Sequence, residues 1–330
     1  MKINNKYIYV LIIIIIICLI FYNVKYLKIK DNFQNYNITG ENNILDININ
    51  NTPNTGKIAF LFLTYNNLKR PEIWNNFFGI KNNETNINNS PYADKFTIYN
   101  HAKDKEQVKD ILLKDKHIPE HIETCWGCAN LVEANILLLK QALKDPLNKK
   151  FILVSDSCAP IVSFTTFYKD IMKDDKTRLN IHDNNNLERY DEIINPPFTK
   201  KEFIKHSGSG LVLNVHHAQL LVSKLNDCET NWKKMSCPDE HYFGNMLKVL
   251  DKDFNENYEK CKATFDTWSN DMLDKTKFNN NDINSDIITD GYVNISKITN
   301  KALDEIRDKK FLLIRKINEN SEIDINYINK

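Results

Sequence analysis

Ile58-Ala59-Phe60-Leu61-Phe62-Leu63 is an unbroken apolar run. A strand with no polar side is one buried on both faces, as in parallel sheets covered by helices. Phe96–Tyr99 and Phe151–Val154 read as further strands of the same sheet. Between those two, Leu131, Val132, Ala134, Leu138, Leu139 and Ala142 stripe a helix that stops before Pro146. A second helix is expected over 164–172, a strand over 210–214, and a helix over 216–225. Phe243, Met246, Leu247 and Leu250 then give one more helix an apolar face. Strand and helix alternating in this way specify an α/β domain, with a mostly parallel central sheet flanked by helices. No internal repeat is visible, and roughly 270 residues are enough to bury one large core. Residues 274–286 lack a core pattern and are expected to form a loop. The tail after Asn318 has no apolar periodicity, and its removal is expected to be tolerated far better than loss of Lys316.

The N-terminus sets an expectation about compartment. Tyr7 to Val24 carries no charge, and a bilayer span needs about 17–25 apolar residues. The apolar core of a cleaved signal peptide runs to roughly 7–15 residues and ends at a small-residue site. Here the run is longer, and bulky Tyr22-Asn23-Val24-Lys25-Tyr26 follows. The expected layout is a short cytosolic tail (1–6), a signal-anchor transmembrane helix (7–24), a polar, Asn-rich stem (25–56) and a lumenal domain (57–330). Lysines on both sides leave orientation open to the charge rule, and the short span suits a thin early-secretory membrane. Of the seven cysteines, Cys18 lies in the anchor. Cys125, Cys128, Cys158, Cys228, Cys237 and Cys261 follow it, an even set that suits an oxidising lumen, with the pairing left open. Sequons at Asn37, Asn50, Asn83, Asn88 and Asn294 point the same way. A net charge of +1 with no basic patch argues against a nucleic-acid partner.

Chemistry concentrates in a few places. In open α/β sheets ligands collect beyond the carboxyl ends of the strands. Those ends carry Thr64-Tyr65-Asn66, Asn100-His101 and Ser155-Asp156-Ser157. Ser236-Cys237-Pro238-Asp239-Glu240 reads as a helix start, with Ser236 as cap and Pro238 in the first turn. That start leaves Asp239 and Glu240 at an exposed first turn, where a carboxylate can face a cleft as a general base. Cys125-Trp126-Gly127-Cys128 has the spacing of a redox pair or of half a zinc site. No second C-x-x-C or H-x-x-x-H follows at suitable spacing, so structural pairing is the expectation. The one Asp-x-Asp, Asp251-Lys252-Asp253, lies beyond a helix and not at a strand end. Gly208-Ser209-Gly210 is too short for a phosphate-binding fingerprint.

Lys57–Thr64, Trp126-Gly127, Leu131–Ala134 and Asp145-Pro146 occur in an order that matches a known family. Phe151–Pro160, Phe164–Thr166 and Pro238–Tyr242 continue the match. The chain resembles the core-2/I-branching β-1,6-N-acetylglucosaminyltransferase family over about residues 57–316. Its flavour is that of the plant branch, with peptide xylosyltransferases as more distant members. The resemblance implies a GT-A-like fold in a type II membrane protein of the Golgi. It implies transfer of a sugar, N-acetylglucosamine at the level of the family, from a UDP-sugar to a glycan or glycoprotein. Configuration would be inverted, with no bound metal and no cofactor. The family's base falls on Glu240, and its diphosphate-binding lysine on Lys316 beside Arg315. Donor contacts fall on Thr64, Tyr65, His101 and Lys103, and acceptor contacts on Trp268 and Asp239. Two departures stand out. Only Lys297 and Lys301 occupy the region where animal members carry a second diphosphate arginine, and basic acceptor residues align poorly around Arg189-Tyr190. A catalytically silent, membrane-anchored carbohydrate-binding homologue is the alternative expectation.

Overall fold

The computed structural model describes residues 56–81, 87–182, 186–225, 230–260, 263–266, 283–288 and 292–328. The expected anchor, the stem up to residue 55, Trp268, Cys228 and Cys261 therefore lie outside the described residues. No helix among the described residues is long and apolar enough to cross a membrane.

In chain order the main elements are β1 (Lys57–Thr64), α1 (Pro71–Phe77), β2 (Phe96–Ala102), α2 (Asn130–Ala142), β3 (Asn148–Ser155), β4 (Ala159–Pro160) and α3 (Phe164–Ile171). They continue with β5 (Thr177–Leu179), β6 (Val212–Asn214), α4 (Val215–Val222), α5 (Tyr242–Leu250), β7 (Tyr258–Lys260) and β8 (Thr264–Asp266). The last are β9 (Ile283–Ile288), β10 (Tyr292–Ile298), α6 (Asn300–Asp308), β11 (Leu313–Arg315) and β12 (Ile317–Glu322).

A six-stranded sheet runs in the order β2-β1-β3-β6-β5-β7. Its pairings are parallel at β1/β2, β1/β3 and β5/β7, and antiparallel on both sides of β6. The apolar run of β1 explains its central place. Ile58, Phe60 and Phe62 enter one core layer, and Ala59 and Leu61 enter the other. The first layer is aromatic: Phe60 packs edge-on to Phe78 with ring centres 5.0 Å apart, and Phe62 edge-on to Trp74 at 5.0 Å. The second takes the apolar stripe of α2, with Val132, Ile136 and Leu139 buried against Phe151 and Leu153.

The cap expected at Ser236 is absent. Cys237 occupies that position in the left-handed region at φ 51°, and makes no side-chain cap. Pro238–Glu240 form a separate 3-10 turn, and His241 at φ −136° breaks the chain before α5 begins. The two carboxylates thus sit on a turn of their own, not in the first turn of the long helix.

Two further segments depart from the sequence reading. Residues 283–286 belong to β9, which pairs antiparallel with β10; the rest of the expected loop lies outside the described residues. The tail after Asn318 also packs into the fold. β12 pairs with β10, Ser321 Oγ donates to the Ile295 carbonyl at 2.5 Å, and Ile323 and Ile328 are buried. Its apolar residues are spaced by turns and pairings rather than by one period, so no periodicity betrays it.

Candidate active site

A cleft of about 470 Å³ opens beyond the carboxyl ends of β1 and β3. Thr64 and Tyr65 leave β1 into it, and Ser155, Asp156 and Ser157 leave β3. These ends are tied together: Tyr65 N donates to Asp156 Oδ2 at 3.1 Å, and Lys103 N to the Thr64 carbonyl at 2.9 Å. Thr64 Oγ1 donates to Asn100 Oδ1 at 3.2 Å. Lys103 stands over the Tyr65 ring with Nζ 5.4 Å from its centre, a cation–π contact at the exposed lip.

Cations arrive from the far end of the chain. β11 pairs with β4 on one side and β8 on the other, and Ile317 N donates to the Ser157 carbonyl at 2.9 Å. That pairing carries Arg315 and Lys316 to the cleft wall. Burial, reinforced by the charge of Arg315, pushes the Lys316 ammonium down to about 8, against the opposing pull of Asp156. Arg315 Nε is buried without a hydrogen-bond partner among the described residues, a donor ready for an anion.

Carboxylates come from the Pro238–Glu240 turn. Glu240 Oε2 takes Arg189 Nη1 at 3.1 Å and Lys205 Nζ at 3.4 Å. His206 N donates to the Glu240 carbonyl at 2.8 Å, which fastens the turn to the segment before β6. Asp239 lies against Gly208, where a Cβ would come within 2.6 Å of Asp239 Oδ2. Gly208 therefore makes room for a carboxylate, a role that a short Gly-x-Gly does not announce in sequence. Burial, helped by the neighbouring Glu240 charge and opposed by Arg315, pushes the Asp239 carboxyl up to about 6.

Seven of the nine residues singled out from sequence meet at this cleft: Thr64, Tyr65, Lys103, Asp239, Glu240, Arg315 and Lys316. Trp268 lies outside the described residues. His101 is elsewhere. It is buried, stacked on His121 with ring centres 4.7 Å apart, and accepts from Ile122 N through Nε2 at 3.2 Å. Burial, with the His121 charge adding to it, pushes its imidazole down to about 4, so it is a neutral packing residue and not part of the cleft lining. Sequence reasoning missed Arg189 and Lys205 as partners of Glu240. They come from a 3-10 turn and an extended segment far along the chain, and no local motif marks them. Among the described residues, no group of three His, Cys, Asp or Glu side chains is placed to hold a metal ion.

Cys125 and Cys128 form a disulfide across a loop at the cleft mouth. Among the described residues Cys158 and Cys237 form no disulfide, and Cys158 is buried. Burial, and then the nearby Asp239, raise the Cys237 thiol above its ordinary range, which keeps it protonated and inert.

The chain is 26% identical over 246 residues to glycosyltransferase BC10 of Oryza sativa subsp. japonica. That match covers 66% of this chain and 58% of the rice protein, so the chain spans less than two thirds of that relative's length. A family model described as Core-2/I-Branching enzyme matches residues 58–305, from the first strand through most of α6. The chain belongs to the Core-2/I-branching enzyme family.

Proposed function

We propose that this chain is an inverting glycosyltransferase with a GT-A-like fold. It moves a sugar, N-acetylglucosamine by family resemblance, from a UDP-sugar to a hydroxyl of a glycan or glycoprotein. The observation that carries this is the meeting, in one cleft, of Glu240 clamped by two cations with Arg315 and Lys316. A single displacement needs one base and one way to hold the leaving diphosphate, and the cleft supplies both.

In the proposed reaction the acceptor hydroxyl loses its proton to Glu240 as its oxygen bonds to the anomeric carbon. The bond from that carbon to the UDP oxygen breaks on the opposite face, and its electron pair leaves with the diphosphate. Among the described residues Arg189 and Lys205 both engage Oε2 of Glu240, which leaves Oε1 to take the proton. Arg315 and Lys316 offset the charge that grows on the diphosphate, in place of a metal ion. Nucleotide contacts are assigned to Thr64, Tyr65 and Lys103, and acceptor contacts to Asp239 and, by family resemblance alone, to Trp268.

The proposed setting is the secretory lumen, with the chain anchored as a type II Golgi membrane protein through residues 7–24. The apolar run supports the anchor, and the Cys125–Cys128 disulfide supports an oxidising compartment. Family membership and a relative described as a glycosyltransferase speak against a silent binding homologue.

The test is release of UDP from a panel of UDP-sugars in the presence and absence of EDTA, with the product's anomeric configuration read by NMR. The expected result is one preferred donor, an initial rate unaffected by EDTA, and inversion. Retention of configuration would overturn the single displacement. A rate that collapses in EDTA and recovers with manganese would overturn the cationic diphosphate site.

A further inference from the structure

A glycine inside a helix costs stability relative to alanine, and a buried asparagine needs partners for its carboxamide. Helix α5 carries the two in succession, Gly244-Asn245, and both meet one short segment, Ile204–His206. Asn245 is only 1% exposed. Its Oδ1 accepts from Ile204 N at 3.0 Å, and its Nδ2 donates to the Ile204 carbonyl at 2.7 Å. The carboxamide thus pairs with Ile204 as a neighbouring strand would. Nδ2 also donates to the His241 carbonyl at 2.8 Å, and His241 Nδ1 donates to the Ile204 carbonyl at 2.9 Å. A Cβ on Gly244 would stand 2.9 Å from Ile204 Cδ1 and 3.0 Å from His206 Cδ2, closer than carbon atoms pack. The bare glycine lets the segment lie against the helix.

The residue between Ile204 and His206 is Lys205, whose Nζ lies 3.4 Å from Glu240 Oε2. Its backbone is held at three successive points. Asn245 holds Ile204, His182 N donates to the Lys205 carbonyl at 2.9 Å, and His206 N donates to the Glu240 carbonyl at 2.8 Å. Asn245 therefore grips the segment that brings the cation. Through the His241 carbonyl it also grips the end of the turn that brings the carboxylate. Arg189 reaches the same Glu240 oxygen from a separate 3-10 turn. Of the two cations on Oε2, Lys205 is the one that depends on this seat.

We propose that Asn245 is a positioning residue for the base. By holding Ile204 it sets where Lys205 meets Glu240, and Lys205 with Arg189 sets which carboxylate oxygen is left for the acceptor hydroxyl. A misplacement of about 1 Å at a reacting group can cost on the order of a hundredfold in rate. Affinity for UDP, assigned to Arg315 and Lys316 on a different strand, does not draw on this segment. The loss therefore falls on kcat and on kcat/KM alike. This rests on the assignment of Glu240 as the base.

The experiment measures transfer by the full chain from UDP-N-acetylglucosamine, UDP-xylose, UDP-glucose and UDP-galactose to methyl β-galactoside and methyl β-xyloside, and carries the fastest pair forward. Asn245→Leu, close in size but without the carboxamide, lowers kcat about ten- to hundredfold. The Kd for UDP stays within about twofold and the acceptor KM within about threefold. Gly244→Ala, which leaves every hydrogen-bonding group in place, also lowers kcat with UDP bound normally, and it carries the test if Asn245→Leu does not fold. Lys205→Met and the double variant Lys205→Met/Asn245→Leu complete a cycle. The double loss is smaller than the product of the single losses, as expected of two residues acting on one contact. Wild-type kcat in the variants that fold, a fall in UDP affinity parallel to the fall in kcat, or losses that multiply in full, overturns the proposal. Glu240→Gln separates the two readings. If it transfers at the wild-type rate, the base assignment itself falls; if it is dead while Asn245→Leu and Gly244→Ala keep their kcat, only the positioning role falls.

Discussion

Lys316 is the cation in the cleft most open to pH. Held near 8 by burial and by Arg315, it is charged at neutral pH and loses its proton as pH rises through that value. UDP affinity should therefore weaken between pH 7 and pH 9, and Lys316→Met should be weaker at pH 7 and flat across the window. Calorimetric titration of UDP at several pH values checks this; a wild-type affinity that does not change with pH would remove Lys316 from the diphosphate. Asp239 works in the other direction. Its carboxyl sits near 6 in the fold, above its ordinary 3.8, so the folded state holds its proton more tightly than the unfolded chain does. Stability from this group is complete below about pH 4 and is lost as pH rises through 6. Asp239→Asn should stabilise the fold at pH 7.5 by about 3 kcal/mol, at roughly 1.4 kcal/mol per pKa unit, and so raise the melting temperature there, with no gain at pH 4. A gain that is equal at both pH values would show that the carboxyl is not strained. Glu240 itself was legible in sequence, because a Pro-Asp-Glu turn before an amphipathic helix is a local pattern. Its partners Arg189 and Lys205 were not, because they meet it only through the path of the intervening chain.

Elements show the same division between local and distant causes. β1, β3 and α2 could be read because each carries a complete apolar pattern of its own. β12 and the turn after it could not, because they are held by non-local bonds: Ser321 Oγ to the Ile295 carbonyl, the Arg70 guanidinium to the Ser321 carbonyl, and Asn76 Nδ2 to the Ile325 carbonyl at 3.2 Å. The position of β11 depends on the same neighbourhood, since Ile295 N donates to the Lys316 carbonyl at 2.7 Å. Ending the chain after Asn318 removes Ser321, Ile323 and Ile328 from the core. Deleting a buried Ile commonly costs about 2–5 kcal/mol, so thermal unfolding should drop by roughly 10 °C or more. UDP binding should fall with it. A truncated protein that melts within about 2 °C of the full chain would show that the tail does not support the cation strand.

For the whole molecule, the cleft follows from the topology. A parallel β2-β1-β3 unit puts three strand ends on one edge, the β11 strand brings cations there, and the Glu240 turn closes the far side. The central claim is that one carboxylate, Glu240, takes the acceptor's proton while the donor is held by other groups. Glu240→Gln keeps the shape and removes the base. Measured side by side on the preferred donor and acceptor, the account expects kcat to fall by 10²–10⁴-fold, on the order typical of losing a general base, with the Kd for UDP within about threefold of wild type. Transfer by Glu240→Gln within threefold of the wild-type rate, with UDP bound normally, would contradict it.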